Sequence, residues 1–252
     1  MKKKLIIGNW KMNPTTLNEA RRIFRSTKNT AKKLTRTDVV VCPPFVYISV
    51  LLPKRSEPVV SIGAQDSYIQ EQGSFTGEVS PFMLKELGVT YVIIGHSERR
   101  AKGETDEIIS NKVAMALEAG LHVVLCVGEK ERDEHGSHLE VLKAQIKDSL
   151  NKVPKKLIGK LVVAYEPVWA IGAKEAMSPA LVYEMSLFVK KSLADAYGHD
   201  EAVSTPVLYG GSVNFRNAGD IITMGKVDGL LVGRESLNSD GFTELLKTVD
   251  SL

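Results

Sequence analysis

Eight short, β-branched apolar runs punctuate the chain at a fairly even spacing, at residues 5–8, 39–42, 59–63, 91–94, 122–127, 161–165, 207–209 and 229–232. Each is near-continuously apolar rather than alternating, which suits strands buried on both faces of a parallel sheet. Between them lie amphipathic stretches rich in helix formers. Residues 16–33, 106–118, 138–152 and 180–197 are the longest, and 81–86, 214–223 and 242–249 are shorter. Residues 46–52 form the weakest of the eight, with few polar positions to set a face. Ser80-Pro81 and Ser178-Pro179 each place a capping hydroxyl before a proline at the first helical position. A strand followed by a helix, eight times over, predicts an α/β fold with a parallel sheet. Eight is the number of strands that closes into a (β/α)8 barrel, with an open doubly wound sheet as the rival. No linker or low-complexity tract interrupts the pattern, so residues 1–252 read as a single domain.

Composition narrows the function classes. Apolar residues are 43% and charged residues 25%, as in an ordinary globular protein. The net charge of +3, from 33 Lys plus Arg against 30 Asp plus Glu, is too small and too dispersed to argue for nucleic acid. The two cysteines, Cys42 and Cys126, lie inside apolar runs and read as buried, reduced core residues. They make neither a disulfide framework nor a metal spacing, which points to a cytoplasmic protein without a metal. Lys2-Lys3-Lys4 before Leu5-Ile6-Ile7 resembles the start of a secretory signal, but the apolar part ends at Gly8. No run is long enough to cross a membrane.

In such a barrel the active site lies at the C-terminal ends of the strands. The residues just after the apolar runs are Asn9 and Lys11, then Gln65, then His96, Ser97 and Glu98, then Glu129, Glu166, Gly210-Gly211-Ser212, and Gly233. Polar and ionisable groups from distant parts of the chain therefore gather at one end. Glu166, at the mouth of an apolar barrel, reads as a partly desolvated general base or as a solvated loop charge. His96 reads as a hydrogen-bond donor to a carbonyl or as a structural histidine. Gly210-Gly211-Ser212 and Gly233 follow the last two strands, where backbone N–H groups often bind phosphate, although a Gly-Gly is usually just a turn. Lys11 suits an anionic substrate or is an ordinary surface lysine. Glu98-Arg99-Arg100 reads as a solvated helix start, with Glu98 as a possible support for Lys11 or His96. Residues 130–138 read as an exposed charged loop. The segment after Glu166 is apolar and carries one of two tryptophans. It reads as a lid that excludes water, or as a loop packed permanently on the barrel.

These residues fall into motifs. They are Asn-Trp-Lys-Met-Asn at 9–13, Phe-Thr-Gly-Glu at 75–78, Gly-His-Ser-Glu-Arg-Arg at 95–100 and Cys-Val-Gly-Glu at 126–129. Three more follow: Tyr-Glu-Pro-Val-Trp-Ala-Ile-Gly at 165–172, Tyr-Gly-Gly-Ser-Val at 209–213 and Asp-Gly-Leu-Leu-Val-Gly at 228–233. In this order and through nearly the whole chain, they resemble the triosephosphate isomerase family. The resemblance implies a TIM (β/α)8 barrel that interconverts dihydroxyacetone phosphate and glyceraldehyde 3-phosphate with no metal or organic cofactor. It implies Glu166 as the base, His96 as the group polarising the carbonyl, and Asn9 and Lys11 as substrate-binding catalytic residues. Gly172, Ser212 and Gly233 would meet the phosphate, with Ser97, Glu98, Cys126 and Gly211 in support, and Arg234, this chain's own departure beside Gly233, is a further candidate contact to the phosphate. The lid would run through Pro167, Val168, Trp169, Ala170, Ile171, Gly172, Ala173, Lys174, Glu175, Ala176 and Met177. Phe75-Thr76-Gly77-Glu78 resembles the family's protruding loop, which implies a homodimer.

Three positions depart from the family pattern. The second half of the lid, 173–177, is Ala-Lys-Glu-Ala-Met where the family usually has Thr-Gly-Lys-Thr-Ala. Arg234 stands where the family usually has a second glycine. Asp66 stands where the family often has Asn, near the expected dimer contacts. The competing functions are a sugar-phosphate epimerase or phosphoribosyl isomerase on a similar barrel, and a non-catalytic barrel kept for binding. The first would lack the motifs at Glu166 and His96. The second would be signalled by loss of Lys11, His96 or Glu166.

Overall fold

A computed structural model describes residues 3–52, 59–172 and 176–252. Eight strands, β1 (Lys4–Asn9), β2 (Thr37–Cys42), β3 (Ser61–Ala64), β4 (Tyr91–Ile94), β5 (His122–Val127), β6 (Leu161–Tyr165), β7 (Val207–Tyr209) and β8 (Gly229–Val232), pair in sequence order. All pairings are parallel, and β1 pairs with both β2 and β8, so the sheet closes on itself. The open doubly wound alternative is thereby excluded.

The near-continuous apolar runs have a geometric cause. Successive side chains on a strand point to opposite faces. On β2, Val40 and Cys42 join one buried cluster with Ile7, Ile93, Val124, Cys126, Val162, Ala164, Leu208 and Leu231, the barrel interior. Val39 and Val41 join the other cluster, between barrel and helices, with residues such as Ile23, Leu84, Val113, Met185 and Leu246. A strand with both faces dry has no polar position to alternate with. Burial also raises the thiol pKa of Cys42 and Cys126 well above the ordinary range, so both stay protonated.

The helices outside the barrel are α1 (Leu17–Ala31), α2 (Phe45–Leu51), α3 (Pro81–Leu87), α4 (Ser97–Arg100), α5 (Asp106–Glu118), α6 (Ser137–Ser149), α7 (Pro179–Tyr197), α8 (His199–Ser204), α9 (Ala218–Thr223) and α10 (Ser239–Asp250). Ser80 accepts from the Phe82 amide at 3.1 Å and Ser178 from the Leu181 amide at 3.4 Å, each ahead of its proline. None of the described helices is long and apolar enough to cross a membrane.

Local chemistry moved some boundaries. The helix expected over residues 214–223 begins only at Ala218. Ahead of it, the Asn217 carboxamide accepts from the Asn214 amide and donates to the Ser212 carbonyl, while Asn214 accepts from the Arg216 amide. Those side chains offer the backbone an alternative to helical bonding. The Glu98-Arg99-Arg100 run lies in α4 with Glu98 exposed, but its two arginines are tied inward. Arg100 donates to the carbonyls of Gly95 at 2.8 Å and Cys126 at 3.2 Å and pairs with Asp106, tying β4 and β5 to α5. Arg99 pairs with Asp66 at 2.8 Å, and buried Lys112 reaches Asp66 at 2.8 Å and Glu104 at 2.6 Å. The carboxylate at Asp66 is thus matched by cations of its own chain. Arg132, inside the stretch expected to be an exposed loop, is half-buried.

Candidate active site

The strand ends converge on a pocket of about 640 Å³ whose wall includes Asn9, Lys11, His96, Glu98, Glu166, Gly172, Gly211, Ser212, Gly233 and Arg234. Asn9 ends β1 and is buried, and its carboxamide oxygen accepts from the Lys11 amide at 3.0 Å. Lys11 adopts a left-handed backbone, φ +54°, which costs energy for a residue with a Cβ. Gln65 supports it by donating one carboxamide nitrogen to the Lys11 carbonyl at 2.8 Å and to the Cys42 carbonyl at 2.9 Å. The backbone is thus over-determined at a charged pocket residue, as strain at functional sites generally requires. The Lys11 ammonium donates to Glu98 at 2.7 Å. Burial pushes the Glu98 carboxyl up, but the hydrogen bond and charge of Lys11 outweigh it and hold the group below its ordinary value.

His96 caps α4. Its Nδ1 accepts from the Glu98 amide at 3.2 Å. A ring nitrogen that accepts from a backbone N–H carries no proton, so the neutral imidazole bears its proton on Nε2. That Nε2 lies 3.2 Å from Glu166 Oε1. Glu166 is only 3% exposed, and its other oxygen accepts from the Ser97 amide at 3.4 Å. Two glycines make room for it. A Cβ on Gly128 would meet the Glu166 carbonyl at 1.9 Å, and one on Gly210 would meet its Cγ at 2.8 Å. Buried Cys126 adjoins the same carboxylate, whose charge adds to the burial that raises the thiol pKa.

The segment after Glu166 is tied at both ends. Val168–Ala170 forms a 3-10 turn whose Val168 amide donates to the Glu129 carbonyl at 2.9 Å. The Trp169 indole donates to Glu129 Oε1 at 3.0 Å, and the Arg132 guanidinium lies 5.7 Å from the indole ring centre. Buried Glu129 also accepts from the Tyr165 hydroxyl at 2.8 Å and from Arg132 at 2.9 Å. At the far end the Met177 amide donates to the Tyr209 hydroxyl at 3.2 Å. Gly172 takes a left-handed φ of +72°. Ala173, Lys174 and Glu175 lie outside the described residues.

The family model of triosephosphate isomerase matches residues 4–249. The chain belongs to the triosephosphate isomerase family. It is similar to the triosephosphate isomerase of Roseiflexus castenholzii, 42% identical over 248 residues that cover 98% of this chain and 97% of that one. It is also similar to that of Fusobacterium nucleatum, 41% identical over 249 residues, covering 98% and 99%, and to that of Dehalococcoides mccartyi strain BAV1, 40% identical over 249 residues, covering 98% and 96%. The chain is accordingly an aldose–ketose isomerase, an intramolecular oxidoreductase.

Within this family frame, the structure brings together Asn9, Lys11, His96, Glu98, Glu166, Gly172, Gly211, Ser212, Gly233 and Arg234 on one pocket wall, and places Ser97 and Cys126 directly behind Glu166. Sequence reasoning left Glu129 and Gln65 without roles, although both follow strands. It did not single out Asn13, Asn214 or Glu235, which also line the pocket. It missed Arg132 altogether. Glu129 was findable, since it follows its strand as Glu166 does. Arg132 was not, because its importance comes from a contact with Trp169, 37 positions away in a different loop.

Proposed function

We propose that this chain interconverts dihydroxyacetone phosphate and D-glyceraldehyde 3-phosphate through an enediolate, in glycolysis and gluconeogenesis. Glu166 takes a proton from the carbon next to the carbonyl and returns it to the neighbouring carbon. The Nε2–H of His96 donates to the carbonyl oxygen as charge develops there, and the Lys11 ammonium and Asn9 stabilise the same charge. The substrate is rearranged with no net oxidation, so the reaction requires no external electron acceptor and no organic cofactor. Backbone N–H groups at Gly172, Ser212 and Gly233 hold the phosphate, with Arg234 beside them. The lid from Pro167 to Met177 closes over the intermediate and excludes water. The observation that carries this reading is the pairing of a buried carboxylate, Glu166, with Nε2 of His96 at 3.2 Å, on the wall of a pocket that Lys11 also lines.

The whole chain is read as one catalytic barrel in the cytoplasm, assembled as a homodimer through the loop at Phe75, Thr76, Gly77 and Glu78. Residues 70–78 of that region are exposed. Met12, beside the catalytic lysine, is 91% exposed, which leaves it open to contact with a partner.

A coupled assay of glyceraldehyde 3-phosphate conversion, with Glu166→Gln as control, tests the reaction and its base together. The wild type is expected to turn over, and the mutant to lose about 10²- to 10⁴-fold in turnover, the usual scale of a positioned base. A folded wild type without turnover would remove the isomerase reading. Near-normal turnover by the mutant would remove Glu166 as base.

A further inference from the structure

Arg234 opens the 3-10 turn Arg234–Leu237, directly after β8. The turn is firmly rooted. Buried Ser236 donates to the Gly233 carbonyl through its hydroxyl at 2.7 Å and through its amide at 2.9 Å. From that base the Arg234 side chain reaches the lid, where its Nη2 donates to the Gly172 carbonyl at 3.2 Å. The approach is close enough that a Cβ on Gly172 would lie 3.1 Å from the same nitrogen. Gly172, Ser212, Gly233 and Arg234 line one pocket, so the guanidinium lies among the groups read as holding the phosphate.

We propose that Arg234 straps the lid at Gly172 and at the same time holds the substrate phosphate, coupling anion binding to lid closure. The proposal rests on the isomerase reading above. A guanidinium has five N–H donors in one plane, so one bond to Gly172 leaves others for a phosphate oxygen. A lysine offers a compact point charge instead and does not grip two partners in a fixed fork. Closure protects the enediolate from a competing cleavage. In that side reaction the enediolate electron pair expels inorganic phosphate as the C–O bond breaks, and the remaining enol tautomerises to methylglyoxal. A looser strap raises the share of turnovers lost this way.

The test uses the full chain and its Arg234→Gly and Arg234→Lys variants. Two quantities are read: calorimetric affinity for glycerol 3-phosphate, which carries the phosphate but cannot isomerise, and the fraction of turnovers that release methylglyoxal. Arg234→Gly is expected to weaken glycerol 3-phosphate at least about tenfold, the scale of one charge-assisted hydrogen bond, and to raise the methylglyoxal fraction. Arg234→Lys is expected to regain most of the affinity but not the low methylglyoxal fraction. Unchanged affinity in Arg234→Gly, an unchanged methylglyoxal fraction, or lysine restoring both would overturn the strap. A wild type that binds glycerol 3-phosphate through Arg234 yet does not isomerise would overturn the isomerase reading instead, so the two failures are distinct.

Discussion

Glu166 is held by what its neighbours lack. Gly210 and Gly128 both stand against it, but they constrain different parts. Gly128 faces the Glu166 carbonyl, which is backbone and cannot yield, whereas Gly210 faces the side-chain Cγ at 2.8 Å. Gly210→Ala is therefore expected to leave the barrel folded while displacing the carboxylate from His96 and Ser97. A misplacement of around 1 Å costs roughly 10²-fold in rate, so kcat should fall by about that factor while the thermal midpoint moves little. Steady-state kinetics beside a melting curve checks this, and unchanged kcat would show that the carboxylate position tolerates the methyl. Gly128→Ala, by contrast, should impair folding itself. At the same scale, the backbone bond into His96 Nδ1 explains how one imidazole can face a carboxylate and remain a donor. Its tautomer is set by the Glu98 amide rather than by the pocket.

At the scale of elements, strand ends deliver the chemistry and strand starts carry stability. His122 begins β5 at the opposite end of the barrel from the pocket and stacks on Tyr91 of β4, ring centres 4.8 Å apart. Burial lowers the His122 pKa below its ordinary value, and the charges of Lys160 and Lys85 push the same way. The folded chain therefore binds this proton less readily than the unfolded chain, whose histidine titrates at about 6.5. Above that pH both states are neutral at this site. As pH falls through about 6.5 toward the lower folded-state value, the unfolded state gains the proton first, so stability drops. Urea midpoints at pH 7.5 and 5.5 should fall further for the wild type than for His122→Gln. Equal losses would mean that His122 stays solvated. The helices show a related division. Thr16, Thr105 and Asn238 cap α1, α5 and α10 through side-chain oxygens, whereas α9 starts late because two asparagines bond to the loop before it.

For the whole molecule, closure of β1 onto β8 brings Lys11 and Gly233 together, with a Cβ on Gly233 only 3.5 Å from Lys11 Cε. A partner subunit would complete this surface. The exposed loop around Thr76, and Met12 next to Lys11, both fit the proposed dimer. Thr76→Arg, which brings bulk and charge to that loop, should shift the sedimentation profile toward monomer. A wild type that sediments as a monomer, or a variant that stays fully dimeric, would remove this loop from the interface.

The apolar runs determined eight buried parallel strands by themselves, and the pairing of β1 with β8 decided that they close into a barrel. All eight strands fall on those runs, with ends moved by a residue or two, because burial on both faces leaves a short continuous apolar run. The gathering of Asn9, Lys11, His96, Glu166 and Gly233 at one end was legible for the same reason: in a parallel barrel every strand ends on the same side. Contacts between loops were not legible. That Glu129 anchors Trp169, that Arg132 joins them, that Gln65 props Lys11 and that Arg234 reaches Gly172 depends on distances between loops whose courses no local pattern encodes. A strand's direction follows from its own residues and the pleat. A loop side chain's partner is decided only when the closed barrel sets the two loops side by side.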